Sequence, residues 1–364
     1  MYGRLILGHA RLLASWLVFL LIAGCGPAMV GRRDLNRNPV EIIDESPRVY
    51  RIKFEHFADS LQTVLVANYL QGSIPRSLLV SLYAPETGPA PAESALVEYG
   101  KAVRRLDAGA IRAALMHARR AVEMDPSFMP SYVLLARLLI ADGQVIAAKA
   151  LLEQIVERDP GNSEALIELA ACHMYLGQLE EARSALIDAV IYQRNSLDAW
   201  GKLRRLGMIE QFEVADRDAP ELAYVEKVRG RNFDMVVDSS LVECPMVASA
   251  WVVYASQRAV WRYEGKYQQR FGESRYRRTY DEDVDCYMSL AVAWKVLSEG
   301  SDSAFCESEY LDFLADVADD GYLIPHVLLD YVCLANPSVA RAFPPEVIEH
   351  LREYVDRYVI VPGS

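Results

Sequence analysis

The chain has 364 residues, 52% of them hydrophobic and 24% charged, enough for two ordinary domains or one solenoid with an appended module. That balance excludes disorder over most of its length. A formal net charge of -12 argues against general nucleic-acid binding, because neutralising phosphates calls for a basic surface.

At the start, Arg4 and Arg11 precede an apolar run from Leu12 to Gly24, interrupted by Ser15. The run is shorter than the roughly 20 residues that span a hydrocarbon core, so it reads as a secretory signal. It ends in Leu21-Ile22-Ala23-Gly24-Cys25, an apolar residue and two small ones before a cysteine. This resembles the lipobox of bacterial lipoproteins. The resemblance implies that residues 1–24 are a lipoprotein signal peptide, removed after lipid (palmitate among its acyl chains) is attached to Cys25. An uncleaved anchor and ordinary secretion are the alternatives. Several acyl chains, at about 0.8 kcal/mol per buried methylene, hold such a protein on the bilayer. Gly26, where many inner-membrane lipoproteins carry aspartate, implies an outer membrane facing the periplasm. Cleavage removes Arg4 and Arg11 and leaves the mature chain more acidic.

Residues 25–94 read as a tether, an amphipathic helix and a proline-rich linker. Arg32, Arg33, Asn36, Arg37, Asn38 and Pro39 make the tether polar. From Tyr50 to Leu70 the apolar residues Ile52, Phe54, Phe57, Leu61, Val64, Leu65 and Tyr69 recur mostly at helical intervals, predicting a helix. Pro85, Gly88, Pro89 and Pro91 then form a linker.

A 34-residue period follows. Gly109, Gly143 and Gly177 share it, as do Ala102, Ala136 and Ala170, then Ala114, Ala148 and Ala182, and last Pro126, Pro160 and Arg194. Small alanines let paired helices approach, a left-handed turn residue costs glycine little, and proline ends the second helix. The pattern resembles the tetratricopeptide repeat (TPR), in three units over about 95–196. Glu98 and Lys101 in the first unit stand where the family prefers large apolar residues, as a terminal cap allows. Trp200 begins a fourth first helix, Arg204 replaces its alanine, and the domain is bounded at 95–207. The expected fold class is all-α: a TPR helix-turn-helix solenoid followed by a helical C-terminal module, 208–364.

In that module, helices are expected over Val247 to Phe271, Tyr280 to Leu297, Glu307 to Val317, Leu323 to Ala335 and Pro345 to Val359. Cys244, Cys286, Cys306 and Cys333 can form two bridges in an oxidising compartment or serve as four small buried hydrophobes. The run Asp281-Glu282-Asp283-Val284-Asp285 reads as a solvated helix start, with divalent-cation binding as the alternative. Arg270, Arg275, Arg277 and Arg278 beside Trp261 and Tyr263 read as salt bridging to nearby acids, or as recognition of an anionic partner.

No phosphate loop, nucleophile elbow or paired-histidine metal motif occurs, so neither an enzyme nor a cofactor or metal is expected. In the TPR family, set positions of each first helix line a concave groove. Here they place Tyr99, Val103, Leu106, Val133, Arg137, Ile140, Ile167, Ala171, Met174 and Tyr175 in a partner-binding groove. Its apolar character suits an amphipathic helix, although this chain's own Tyr50 to Leu70 segment or C-terminal module can equally cover it. The lysine and asparagine of the carboxylate-clamping subgroup are replaced by Tyr99 and Val103, so no such clamp is expected. The expected function is a membrane-anchored periplasmic scaffold that binds protein partners of the cell envelope, without nucleic acid. The alternative gives the C-terminal module an envelope glycan or small ligand, with Trp251, Trp261 and Trp294 beside an open pocket of Glu264, Arg278, Asp281 and Glu282.

Overall fold

The computed structural model describes residues 34–57, 90–217, 219–299, 307–334 and 336–363. The signal segment, Cys25, the tether up to Arg33, most of the linker, and Cys306 lie outside these. The rest of the expected tether is folded and not a spacer, with Leu35, Ile42 and Ile43 buried. Contacts divide the chain into two compact units, Met1–Ile74 with Pro220–Leu323, and Pro75–Ala219 with Ile324–Ser364. The division cuts across the expected 208–364 module: residues 208–219 and 324–364 fall with the repeats, and 220–323 with the first unit.

The first unit opens with a short helix α1 (Pro39–Asp44) and strand β1 (Val49–Glu55). This corrects the helix expected from Tyr50 onward. Over 49–55 the apolar residues Tyr50, Ile52 and Phe54 alternate with Arg51, Lys53 and Glu55, which is the period of a strand. The remainder, 58–70, lies outside the described residues.

The second unit carries the repeats as three helical hairpins: α2 (Glu93–Asp107) with α3 (Ile111–Met124), α4 (Met129–Ala141) with α5 (Val145–Arg158), and α6 (Ser163–Tyr175) with α7 (Leu179–Tyr192). Each hairpin turns on its glycine, with φ of 71°, 81° and 71° at Gly109, Gly143 and Gly177. The same two bonds close every turn. Gly109, Gly143 and Gly177 donate to the carbonyls of Leu106, Ile140 and Met174, while Ala110, Gln144 and Gln178 donate to those of Arg105, Leu139 and His173. These are Schellman caps, which satisfy carbonyls that a helix end leaves open. The alanines of the repeat are fully buried where the helices meet. A further helix, α8 (Leu197–Glu210), repeats the first-helix position, with Trp200 buried. No second helix follows. Gln211 takes a left-handed conformation (φ 63°) and the chain turns into strand β2 (Phe212–Val214).

The chain then returns to the first unit, where the sequence reading missed a sheet. Strands β3 (Ala223–Arg229) and β4 (Asn232–Asp238) form a hairpin turning at Gly230, and β1 joins β4 in parallel, giving the order β1-β4-β3. Helix α9 (Pro245–Tyr263) packs on this sheet, followed by α10 (Lys266–Phe271), α11 (Tyr280–Glu299) and α12 (Glu309–Asp319). Trp251, Tyr254, Trp261, Tyr287 and Trp294 are buried in this core.

The last stretch crosses back to the repeats: α13 (Leu323–Val327), a π-helical turn (Leu328–Cys333), a 3-10 turn (Pro337–Ala342), α14 (Pro345–Tyr354), a second π-helical turn (Val355–Val359) and β5 (Ile360–Pro362). Strand β5 pairs antiparallel with β2.

Candidate functional site

The candidate strip runs across the first helices α2, α4 and α6. Tyr99, Val103, Leu106 and Ile140 are half-buried and pack against the hydrophobic cluster inside the hairpins. Tyr99 also meets Phe128 edge-on, with ring centroids 5.3 Å apart. Val133 and Ile167 are buried, which corrects their assignment as partner contacts. They occupy the same position one repeat apart, and Val133 belongs to the hydrophobic cluster inside the hairpins. Ala171 and Met174 are half-buried, and Tyr175 is 73% exposed. Arg137 is exposed, with its Nε donating to Glu168 Oε1 at 2.9 Å.

The strip continues onto α8, which the sequence reading did not include. Adding one repeat length to Ala171, Met174 and Tyr175 gives Arg205, Met208 and Ile209. Arg205 is exposed, and Met208 and Ile209 are 76% and 56% exposed. The repeat offset was the signal available, masked by the loss of the alanine at Arg204. One end of the strip therefore presents Tyr175, Met208 and Ile209 to solvent beside a guanidinium, a combination suited to an apolar segment carrying a carboxylate.

The C-terminal stretch follows α7, a second helix. Arg352 Nε and Nη2 donate to the two oxygens of Asp188 at 2.6 and 3.0 Å, and Arg341 Nη2 donates to the Gly161 carbonyl at 3.0 Å. Arg183 pairs with Asp356, and Arg194 Nε donates to Asp330 Oδ1 at 3.1 Å. Arg194, in the place of the repeat proline, also lies over Trp200, 4.8 Å from its ring centroid.

In the other unit, Glu282 and Asp283 are fully buried, which corrects the solvated helix start. Arg258 Nη1 reaches Glu282 Oε1 at 3.0 Å and Arg258 also pairs with Asp283 and Glu221. Arg278 donates to Asp283 Oδ1 and Glu221 Oε2, each at 3.0 Å. Asp285 accepts from Trp261 Nε1 at 2.9 Å and pairs with Lys266 at 2.7 Å. Glu264 is partnered as well, its Oε1 accepting from Tyr50 Oη at 2.7 Å and Ser46 Oγ at 2.8 Å. The tryptophans named for a glycan site are buried between helices, and the acids face arginines, so these residues build a core.

Cys244 is disulfide-bonded, with its partner outside the described residues. Cys172, Cys286 and Cys333 are free and buried. Burial pushes the Cys172 thiol up to about 11, and raises Cys286 and Cys333 as well. These three act as small buried side chains, not as nucleophiles.

The tetratricopeptide repeat family profile matches residues 139–206, from the end of α4 through α5, the third hairpin and most of α8. Residues 139–206 are thus a tetratricopeptide-repeat segment, and the first hairpin shares its 34-residue period. No curated protein matches the chain. Among solved structures it is similar to the first TPR domain of human RPAP3, at 19% identity, covering 33% of this chain and 93% of that one, with a TM-score of 0.31. It is similar also to the TPR domain of Arabidopsis OM64, at 15% identity over 32% of this chain and 97% of that one, TM-score 0.31. A tetratricopeptide repeat protein from Parabacteroides merdae matches at 14% identity over 73% of this chain and 100% of its own, TM-score 0.29.

Proposed function

We propose that this chain is a lipid-anchored scaffold of a bacterial cell envelope, which holds a protein partner on the first-helix strip of its repeats. The carrying observation is the exposed apolar end of that strip, Tyr175, Met208 and Ile209, beside Arg205. Grouped apolar side chains rimmed by charge mark contact surfaces more often than scattered ones do. Location is supported by Ile22-Ala23-Gly24-Cys25, and the disulfide of Cys244 suits an oxidising compartment such as the periplasm. Among the described residues no helix is long and apolar enough to cross a membrane. Attachment in this proposal is by lipid on Cys25. The role requires no reaction.

The test works on the full-length protein in its own envelopes. A photo-crosslinking residue at Tyr175 or Met208 should capture discrete proteins, and Met208→Glu with Ile209→Glu should lose them while the repeats stay folded. Capture unchanged by that pair would overturn the strip. Labelled palmitate should enter the wild type and not Cys25→Ser; equal labelling would overturn the anchor.

A further inference from the structure

The three second helices differ on one face. At two corresponding positions α3 carries Arg119 and Glu123, and α5 carries Glu153 and Glu157, all exposed. One repeat further on, α7 carries Ile187 and Ile191, both buried. Asp188 likewise replaces the exposed Gln154 and is half-buried against Arg352. Helix α7 is therefore apolar on a face that its predecessors leave to water, and residues 324–363 lie along it.

We propose that this face of α7 is a dedicated docking surface and that residues 324–363 are its resident ligand, a detachable strap capping the repeat array. The contact has the anatomy of an interface: buried apolar residues at its centre and a polar rim that water reaches. At the rim the side chains of Arg341, Arg352 and Asp356 are 52%, 39% and 56% exposed. The strap also has internal order, centred on Asp330, which pairs with Arg194 of the array as well. His326 Nδ1 lies 2.9 Å from Tyr354 Oη and 3.1 Å from Asp330 Oδ2, and Tyr354 donates to Asp330 at 2.6 Å, tying α13 and its π-helical turn to α14. A segment organised in this way can leave and return as one piece. The strap follows residues 220–323, which belong to the other unit.

The glutamates of α5 supply the test. In the full-length protein, Ile187→Glu with Ile191→Glu restores the residues of the preceding repeat, which a second helix of this array already accommodates. Hydrogen exchange read by peptide should show 324–363 exchanging about tenfold faster or more, with the helices from 93 to 175 keeping their protection. A second variant, Arg341→Ala with Arg352→Ala, removes rim contacts without touching the apolar centre and should speed exchange in the strap by a smaller factor. Strap protection unchanged in both variants overturns the docking surface. Loss of protection in strap and hairpins together, in both variants, overturns detachability and makes 324–363 part of one cooperative core.

Discussion

Glu98 stands where a tetratricopeptide repeat usually has a large apolar side chain, and its surroundings explain the exception. Lys101 Nζ donates to one carboxylate oxygen at 2.6 Å, and His117 Nδ1 on α3 lies 2.7 Å from the other. The Lys101 bond first, and His117 after it, hold the carboxyl at about 2, below the ordinary value of about 4.3. A folded-state value below the unfolded one means stability present above about pH 4 and lost as pH falls toward 2. The melting temperature of wild type should therefore exceed that of Glu98→Gln at neutral pH, and the gap should close through that acid window. A gap independent of pH between 5 and 2 would refute the assignment. The departure at Glu98 was legible in the sequence. Its pairing with His117 was not, because the two meet across a hairpin.

At the scale of elements, the helices were readable wherever local chemistry sets them. The glycine period gave all three hairpin turns, and α11, α12 and α14 begin within two residues of the expected starts. Strands were another matter. In β3 and β4 the run Ala223-Tyr-Val-Glu-Lys-Val-Arg, then Gly230-Arg231, then Asn-Phe-Asp-Met-Val-Val carries a hairpin signal. The pairing of β1 with β4 has no local signal, since it joins Val49 to Asn232. The reversal after α8 depends on a second glycine. A Cβ placed on Gly207 would lie 2.4 Å from the Phe212 carbonyl oxygen and 2.9 Å from its ring. Gly207→Ala gains about 1 kcal/mol of helix propensity and loses more to this overlap, so a net destabilisation of roughly 1–3 kcal/mol is expected in thermal unfolding. A more stable variant would show that the turn relaxes freely.

For the whole molecule, the two units rest on different physics. The repeats stack apolar hairpins, whereas the other unit encloses Arg258 and Arg278 with Glu221, Glu282 and Asp283. Removing one partner strands the others without water. Arg258→Ala should cost about 3–5 kcal/mol, and hydrogen exchange should place the loss in α9, α11 and the β3–β4 hairpin while the repeat helices keep their protection. Uniform loss across both units would show a single cooperative fold.

The sequence by itself determined the repeat hairpins, their turns and their alanine contacts, because glycine φ, helix-end chemistry and side-chain size act within one 34-residue unit. It also carried the lipobox resemblance, which is a linear motif. Tertiary structure decided what covers α7, which strip residues face water and which acids meet which arginines. Those outcomes depend on segments brought together from far along the chain: Arg194 finds Asp330 and Asp188 finds Arg352 by packing, and no local period announces them.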